Sequence, residues 1–126
     1  QATLTTREEL ISESDLITLH VPLTKITRGM VDKSFFRNMK STGFLVNTSR
    51  GEVVEQEALK KALKKGYIRG AALDVFQEEP PTDKNFLSLE NLMVTPHIGG
   101  NTQEAVEAMG RSAIKNLISF FNEHSV

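Results

Sequence analysis

At 126 residues the chain has the length of one ordinary domain, and its formal net charge of -1 gives no basic field to draw in a nucleic acid. It contains no cysteine, which excludes disulfides, thiolate nucleophiles and thiolate metal sites. No apolar run approaches the roughly 18 residues of a membrane-spanning helix, and the N-terminus has no signal-like apolar region, so a cytoplasmic domain without membrane contact is expected.

The chain opens on Gln1 rather than Met, and residues 2–5 read as a short edge strand with nothing before it to pair with. The expectation is a chain that begins partway through a larger protein. Thr6-Arg7-Glu8-Glu9 has the form of a capping box, opening a short helix that turns Leu10 and Ile11 inward and stops near Ser14. Residues 16–21 are mostly apolar and bounded by Pro22, as in a parallel strand buried on both faces. After a turn-rich loop, Asp32 caps a helix through Met39, and Gly43 restarts the chain as the strand 44–47. Residues 53–65 predict a helix whose Ala58, Leu59, Ala62 and Leu63 share one face, with Lys60, Lys61, Lys64 and Lys65 in water and Gly66 as terminator. A third strand is predicted at 70–76, a proline-bearing loop at 77–85 and a fourth strand at 92–95, broken by Pro96. Asn101 to Glu104 cap a last helix running to about Asn122, with Val106, Met109, Ala113, Leu117 and Phe120 or Phe121 forming one apolar stripe. Strand and helix alternate, which predicts βαβ units and a parallel α/β sheet.

The polar residues fall into place on that scaffold. His20-Val21-Pro22, Thr48-Ser49-Arg50-Gly51, Asp74 and Pro96-His97 each follow a strand, so all four groups lie at carboxyl ends, where open α/β sheets bind ligands. Taken singly, each has a plainer explanation. Arg50 can be a surface cation, Glu78 and Glu79 loop solvation, His97 a satisfied strand-end histidine and Asp74 a turn cap. His20 reads as structural and His124 as tail. The three histidines are not paired at helical spacing, which argues against a metal site, and no serine sits in a G-x-S-x-G elbow.

Together, Leu19-His20-Val21-Pro22-Leu23, Val46-Asn47-Thr48-Ser49-Arg50-Gly51, Ala72-Leu73-Asp74-Val75-Phe76 with Glu79-Pro80, and Thr95-Pro96-His97-Ile98-Gly99-Gly100 resemble the D-isomer-specific 2-hydroxyacid dehydrogenases nearly end to end. The resemblance implies an oxidoreductase that moves a hydride between NAD, or NADP, and a 2-keto or 2-hydroxy acid of the phosphoglycerate or glyoxylate/hydroxypyruvate type. It implies Arg50 as substrate-binding arginine, His97 as proton donor and Glu79 as the acid that orients the imidazole. It also implies that Val21, Thr48, Ser49, Arg50, Asp74, His97, Ile98, Gly99 and Gly100 contact the nicotinamide half of the cofactor.

The family's G-x-G-x-x-G fingerprint and the acidic residue that reads the adenosine ribose are absent from these 126 residues, as is a separate substrate domain. The expected architecture is therefore the second half of a Rossmann-like doubly wound parallel sheet plus a long C-terminal helix, one partial nucleotide-binding domain over residues 1–126. Glu55 is a poorer cap than Asp for the helix after Arg50. Two functions stay open: the catalytic part of an oxidoreductase, inactive by itself, or a non-catalytic binding or assembly domain that keeps the fold. Either way, the partner expected first is the missing N-terminal half. A half-sheet also exposes an unpaired edge and apolar faces, so homo-oligomerisation is expected.

Overall fold

The computed structural model describes residues 2–123; the assignment of His124 to the tail lies outside them. The elements are α1 (Arg7–Glu13), β1 (Leu16–Leu19), α2 (Lys33–Asn38), β2 (Phe44–Asn47), a 3-10 turn (Gly51–Val53), α3 (Gln56–Lys65), β3 (Gly70–Leu73), α4 (Lys84–Leu87), β4 (Leu92–Val94) and α5 (Gln103–Glu123). The local chemistry sets most of these limits. Glu9 N–H donates to the Thr6 hydroxyl while the Glu9 carboxylate accepts from Thr6 N–H, closing the expected capping box. The Asp32 carboxylate accepts from Phe35 N–H at 2.8 Å to open α2, and Gly66 ends α3 in the left-handed conformation.

The four strands form one parallel sheet in the order β1-β2-β3-β4, with Leu16 level with Phe44, Phe44 with Gly70 and Ala71 with Leu92. Every crossover moves the chain one strand over in the same direction. Because such crossovers share one hand, the connecting helices all belong on one face. The core follows from that. Ile17, Leu19, Leu45, Leu73 and Leu92 are buried in one cluster with Phe35, Phe36, Leu59, Leu63 and Phe86. Complete burial of Leu45 is worth about 2 kcal/mol. On the other face Leu16 is 58% and Met93 67% exposed, with Phe44 half open between them. The expectation of strands buried on both faces is therefore corrected: burial alternates along β1, because this chain carries covering helices for one face only.

Other boundaries differ from the sequence reading for local reasons. Residues 2–5 form no strand; they are exposed, and the Thr5 hydroxyl is engaged with the Glu9 carboxylate beside the α1 cap. α3 starts at Gln56 because Val53 and Val54 are held elsewhere: Val31 N–H donates to Val53 O at 3.1 Å and Glu55 N–H to Val31 O at 3.0 Å, an isolated parallel bridge. The predicted loop 77–85 runs into the one-turn helix α4, capped by Asp83 and anchored by the fully buried Phe86. Lys60, expected in water, pairs with Asp83 and so ties α3 to that cap. β1, β3 and β4 end before the predicted limits, leaving His20, Asp74 and Thr95 on the rim. α5 is capped by Thr102 rather than Asn101, with Ala105 N–H donating to the Thr102 hydroxyl at 3.2 Å. Its 21 residues make a rod of about 30 Å, and the predicted stripe through Val106, Met109 and Leu117 is exposed along it.

Candidate active site

A parallel sheet puts all its carboxyl ends on one rim. In strand order that rim carries His20 and Val21, then Thr48 to Arg50, then Asp74, then Thr95 to His97.

The Arg50 turn is built on Asn47, the last residue of β2 and 0% exposed. Its carboxamide oxygen accepts from Ser49 N–H at 3.0 Å and from the Ser49 hydroxyl at 2.8 Å, while its Nδ2 donates to Arg50 O at 2.9 Å. Its backbone carbonyl accepts from Asp74 N–H at 3.0 Å, joining the turn to the end of β3. The exposed Arg50 guanidinium donates from Nη1 to Ser49 O at 2.6 Å. Gly51 then passes directly against the next loop: a Cβ there would lie 2.0 Å from the Phe76 carbonyl carbon, so only glycine fits. Gly51→Ala must push two backbones apart. The expected cost is about 3 kcal/mol or more, read as a fall in the denaturant midpoint; an unchanged midpoint would contradict the packing described.

The second group centres on His97, the one non-glycine residue with positive φ (54°) among the described residues. Such a conformation costs about 1–3 kcal/mol and persists only where the surroundings impose it; here Asp74 does so. Its carboxylate accepts from the Thr95 hydroxyl on one side of His97 and from Ile98 N–H (2.9 Å) and Gly99 N–H (2.8 Å) on the other. A Cβ on Gly99 would come 2.9 Å from Asp74 Oδ2, so glycine is needed for that approach. Burial works against the Asp74 carboxylate. The bonds from Thr95, Ile98 and Gly99 and the neighbouring His97 outweigh it and bring its pKa below the ordinary value.

Glu79 completes this group. Its Oε2 meets His97 Nδ1 at 2.8 Å, and its Oε1 accepts from Phe76 N–H at 2.9 Å. These two bonds, the one to His97 foremost, hold the Glu79 carboxyl below its ordinary value. A depressed carboxyl pKa contributes stability in full above the unfolded value of 4.5, and that contribution is lost as pH falls through the lower folded value. Glu79→Gln should therefore lower Tm near neutrality, with the gap to wild type closing as pH drops below about 4.5. A gap that widens on acidification would refute the pairing.

Of the expected site residues, Glu79, His97, Asp74, Ile98 and Gly99 come together in one hydrogen-bonded unit. Arg50 stands apart from it, in an open cleft of about 610 Å³ shared with His20, Val21, Thr48 and Ser49. His97 and Glu79 border a separate, mostly apolar pocket of about 360 Å³ with Pro80, Leu87, Val94 and Pro96. The Gly51–Phe76 contact is where the Arg50 turn touches the loop that carries Glu79. Gly100 is exposed beside the His97 unit, with nothing within 4 Å of where its Cβ would be. Glu78 is exposed. Asn47, Gly51 and Thr95 stand in the motifs quoted for the resemblance, but sequence reasoning assigns them no role of their own. Asn47 had one signal, a polar side chain closing an otherwise apolar strand directly before a turn. Among the described residues no cluster suited to a metal ion is present, and no helix is long and apolar enough to cross a membrane.

Comparison with known proteins bears on the fold and the family. The chain is 51% identical over 113 residues to a glyoxylate reductase of Thermococcus litoralis, covering 90% of this chain and 34% of that protein. A similar relation holds to the glyoxylate reductase of Pyrococcus furiosus, at 51% identity and the same coverage of 90% and 34%. The chain thus spans about a third of the length of the curated relatives it matches. Among solved structures, D-lactate dehydrogenase from Aquifex aeolicus, complexed with NAD and lactic acid, superposes with a TM-score of 0.82 at 35% identity, over 94% of this chain and 40% of that one. A glyoxylate reductase from Paecilomyes thermophila gives 0.84 at 33% identity, over 89% and 34%. Residues 1–99, which contain the whole rim, match the family described as D-isomer specific 2-hydroxyacid dehydrogenase, NAD binding domain, and the chain belongs to that family.

Proposed function

We propose that this chain is the catalytic half of a doubly wound nucleotide-binding domain, in an NAD-dependent dehydrogenase that reduces a small 2-keto acid such as glyoxylate. The observation that carries this reading is the His97 imidazole fixed by Glu79 at 2.8 Å, at the ligand-binding edge of a parallel sheet. With Nδ1 engaged by the carboxylate, Nε2 is the nitrogen left to deliver a proton to a substrate carbonyl oxygen. Arg50 presents a planar fork that suits the substrate carboxylate and the reacting carbonyl. A scaffold acting only by assembly needs neither group.

The residues suit the nicotinamide half of the cofactor. The open Arg50 cleft with Val21, Thr48 and Ser49 has room for it, Gly99 presents backbone without a side chain beside Asp74, and Gly100 leaves open space after it. When bound, the cofactor supplies the hydride. Asp74, Val21, Thr48, Ser49, Ile98, Gly99 and Gly100 hold and orient it, Arg50 binds the keto acid, and His97 moves the proton. No glycine-rich pyrophosphate cradle lies within the 126 residues. The chain by itself is therefore expected to bind NADH more weakly than millimolar and to turn nothing over; submillimolar binding by calorimetry would contradict this.

The function is tested in a chimera in which this chain replaces the matching 113 residues of the Thermococcus litoralis enzyme. NADH-dependent reduction of glyoxylate is the expected result. A folded chimera that binds NADH and has no turnover would overturn the proposal.

A further inference from the structure

We infer that Asn47 is the positioning residue of the substrate-binding arginine, setting the direction of the Arg50 guanidinium without touching it; this rests on the function proposed above. Asn47 is wholly buried, yet its carboxamide spends its contacts on a single turn. The oxygen takes both donors of Ser49, N–H at 3.0 Å and hydroxyl at 2.8 Å. The nitrogen donates to the Arg50 carbonyl at 2.9 Å. The peptide between Ser49 and Arg50 is thus clamped at the residue on either side. That peptide's own carbonyl, Ser49 O, receives Arg50 Nη1 at 2.6 Å. The backbone group that steers the guanidinium is therefore fixed by a side chain that never reaches solvent.

The clamp also sets Arg50 relative to the His97 group. Asn47 O accepts from Asp74 N–H at 3.0 Å, and the Asp74 carboxylate holds the amides of Ile98 and Gly99 just after His97. One residue after Arg50, Gly51 abuts the Phe76 backbone, whose N–H holds Glu79. Arginine and imidazole occupy separate pockets, and Asn47 fixes their separation through β2 and β3. A buried amide with donor and acceptor both committed is costly to replace, since removing it strands its partners.

Asn47→Asp is the informative substitution. It keeps acceptors for both Ser49 donors and loses the single donor to Arg50 O. Assayed in the chimera, it is expected to raise the KM for the keto acid and lower kcat/KM at least tenfold, while the KM for NADH stays within twofold. In an Arg50→Ala background the same change should have no further effect, because coupled residues are non-additive. An equal loss in both backgrounds would make Asn47 a structural residue only and overturn the inference. So would a folded Asn47→Asp enzyme with normal kcat/KM. Ser49→Ala, which removes the hydroxyl donor to Asn47, replaces it if the Asn47 variant does not fold, with the same non-additivity in kcat/KM for the keto acid expected. If Arg50→Ala alone leaves kcat/KM unchanged, the catalytic reading itself is overturned, a result distinct from the failure of the Asn47 coupling.

Discussion

Replacing His97 by alanine in the complete catalytic unit should reduce turnover by roughly 10²- to 10⁴-fold, the usual worth of a positioned general acid, with NADH affinity little changed. The reasoning is geometric. Asp74 holds the Thr95 hydroxyl before His97 and the backbone amides of Ile98 and Gly99 after it, so removing the imidazole leaves the surrounding chain in place. What is lost is the proton source and its bond to Glu79. Glu79→Gln in the same enzyme should cost less, because the amide oxygen still offers an acceptor to His97 Nδ1 while losing its charge. Single-turnover measurement of hydride transfer separates chemistry from binding. Near-normal rates in His97→Ala would remove it from the mechanism.

Arg50→Ala should have the second large effect. A charge-assisted pair with a substrate carboxylate, truncated on one side, costs about 3 kcal/mol, roughly a hundredfold in kcat/KM. Arg50→Lys should recover part of the KM and little of kcat, because an ammonium supplies charge without the planar fork that meets carboxylate and carbonyl together. The guanidinium rests on Ser49 O in this structure, a contact a lysine at this position would not reproduce in shape. Lysine restoring full kcat would mean that Arg50 acts only as a point charge.

The parts of the fold that could be read from sequence are those encoded within a few residues. The Thr6 and Asp32 caps, the Gly66 stop and the strand Phe44–Asn47 each depend on neighbours in the chain, and each stands where expected. The misread parts depend on distant partners. Val53 and Val54 look like the start of a helix until Val31 claims their backbone. Lys60 looks solvated until Asp83, 23 residues on, reaches it. Hydropathy marks Leu16 and Met93 as apolar, and it carries no information on whether this chain covers them; it does not. α4 is a single turn, too short to show a period, and only its Asp83 cap and Phe86 anchor betray it. At the site, the strand-end placement of Arg50, Asp74 and His97 followed from the alternation of elements. The pairing of Glu79 with His97 came with the family resemblance, since nothing in the spacing of 18 residues foretells it. Asn47 went unread because a buried amide declares its role only through partners that the turn geometry brings to it.

The most direct test of the account is a structure of the chimera with NADH and oxamate, an unreactive stand-in for a small keto acid. The account predicts the oxamate carboxylate on the Arg50 guanidinium and its amide carbonyl oxygen within hydrogen-bond reach of His97 Nε2, with Glu79 still on Nδ1. Oxamate bound with Arg50 and His97 on separate ligands, or with His97 turned away from it, would contradict the claim that these two side chains act on one substrate.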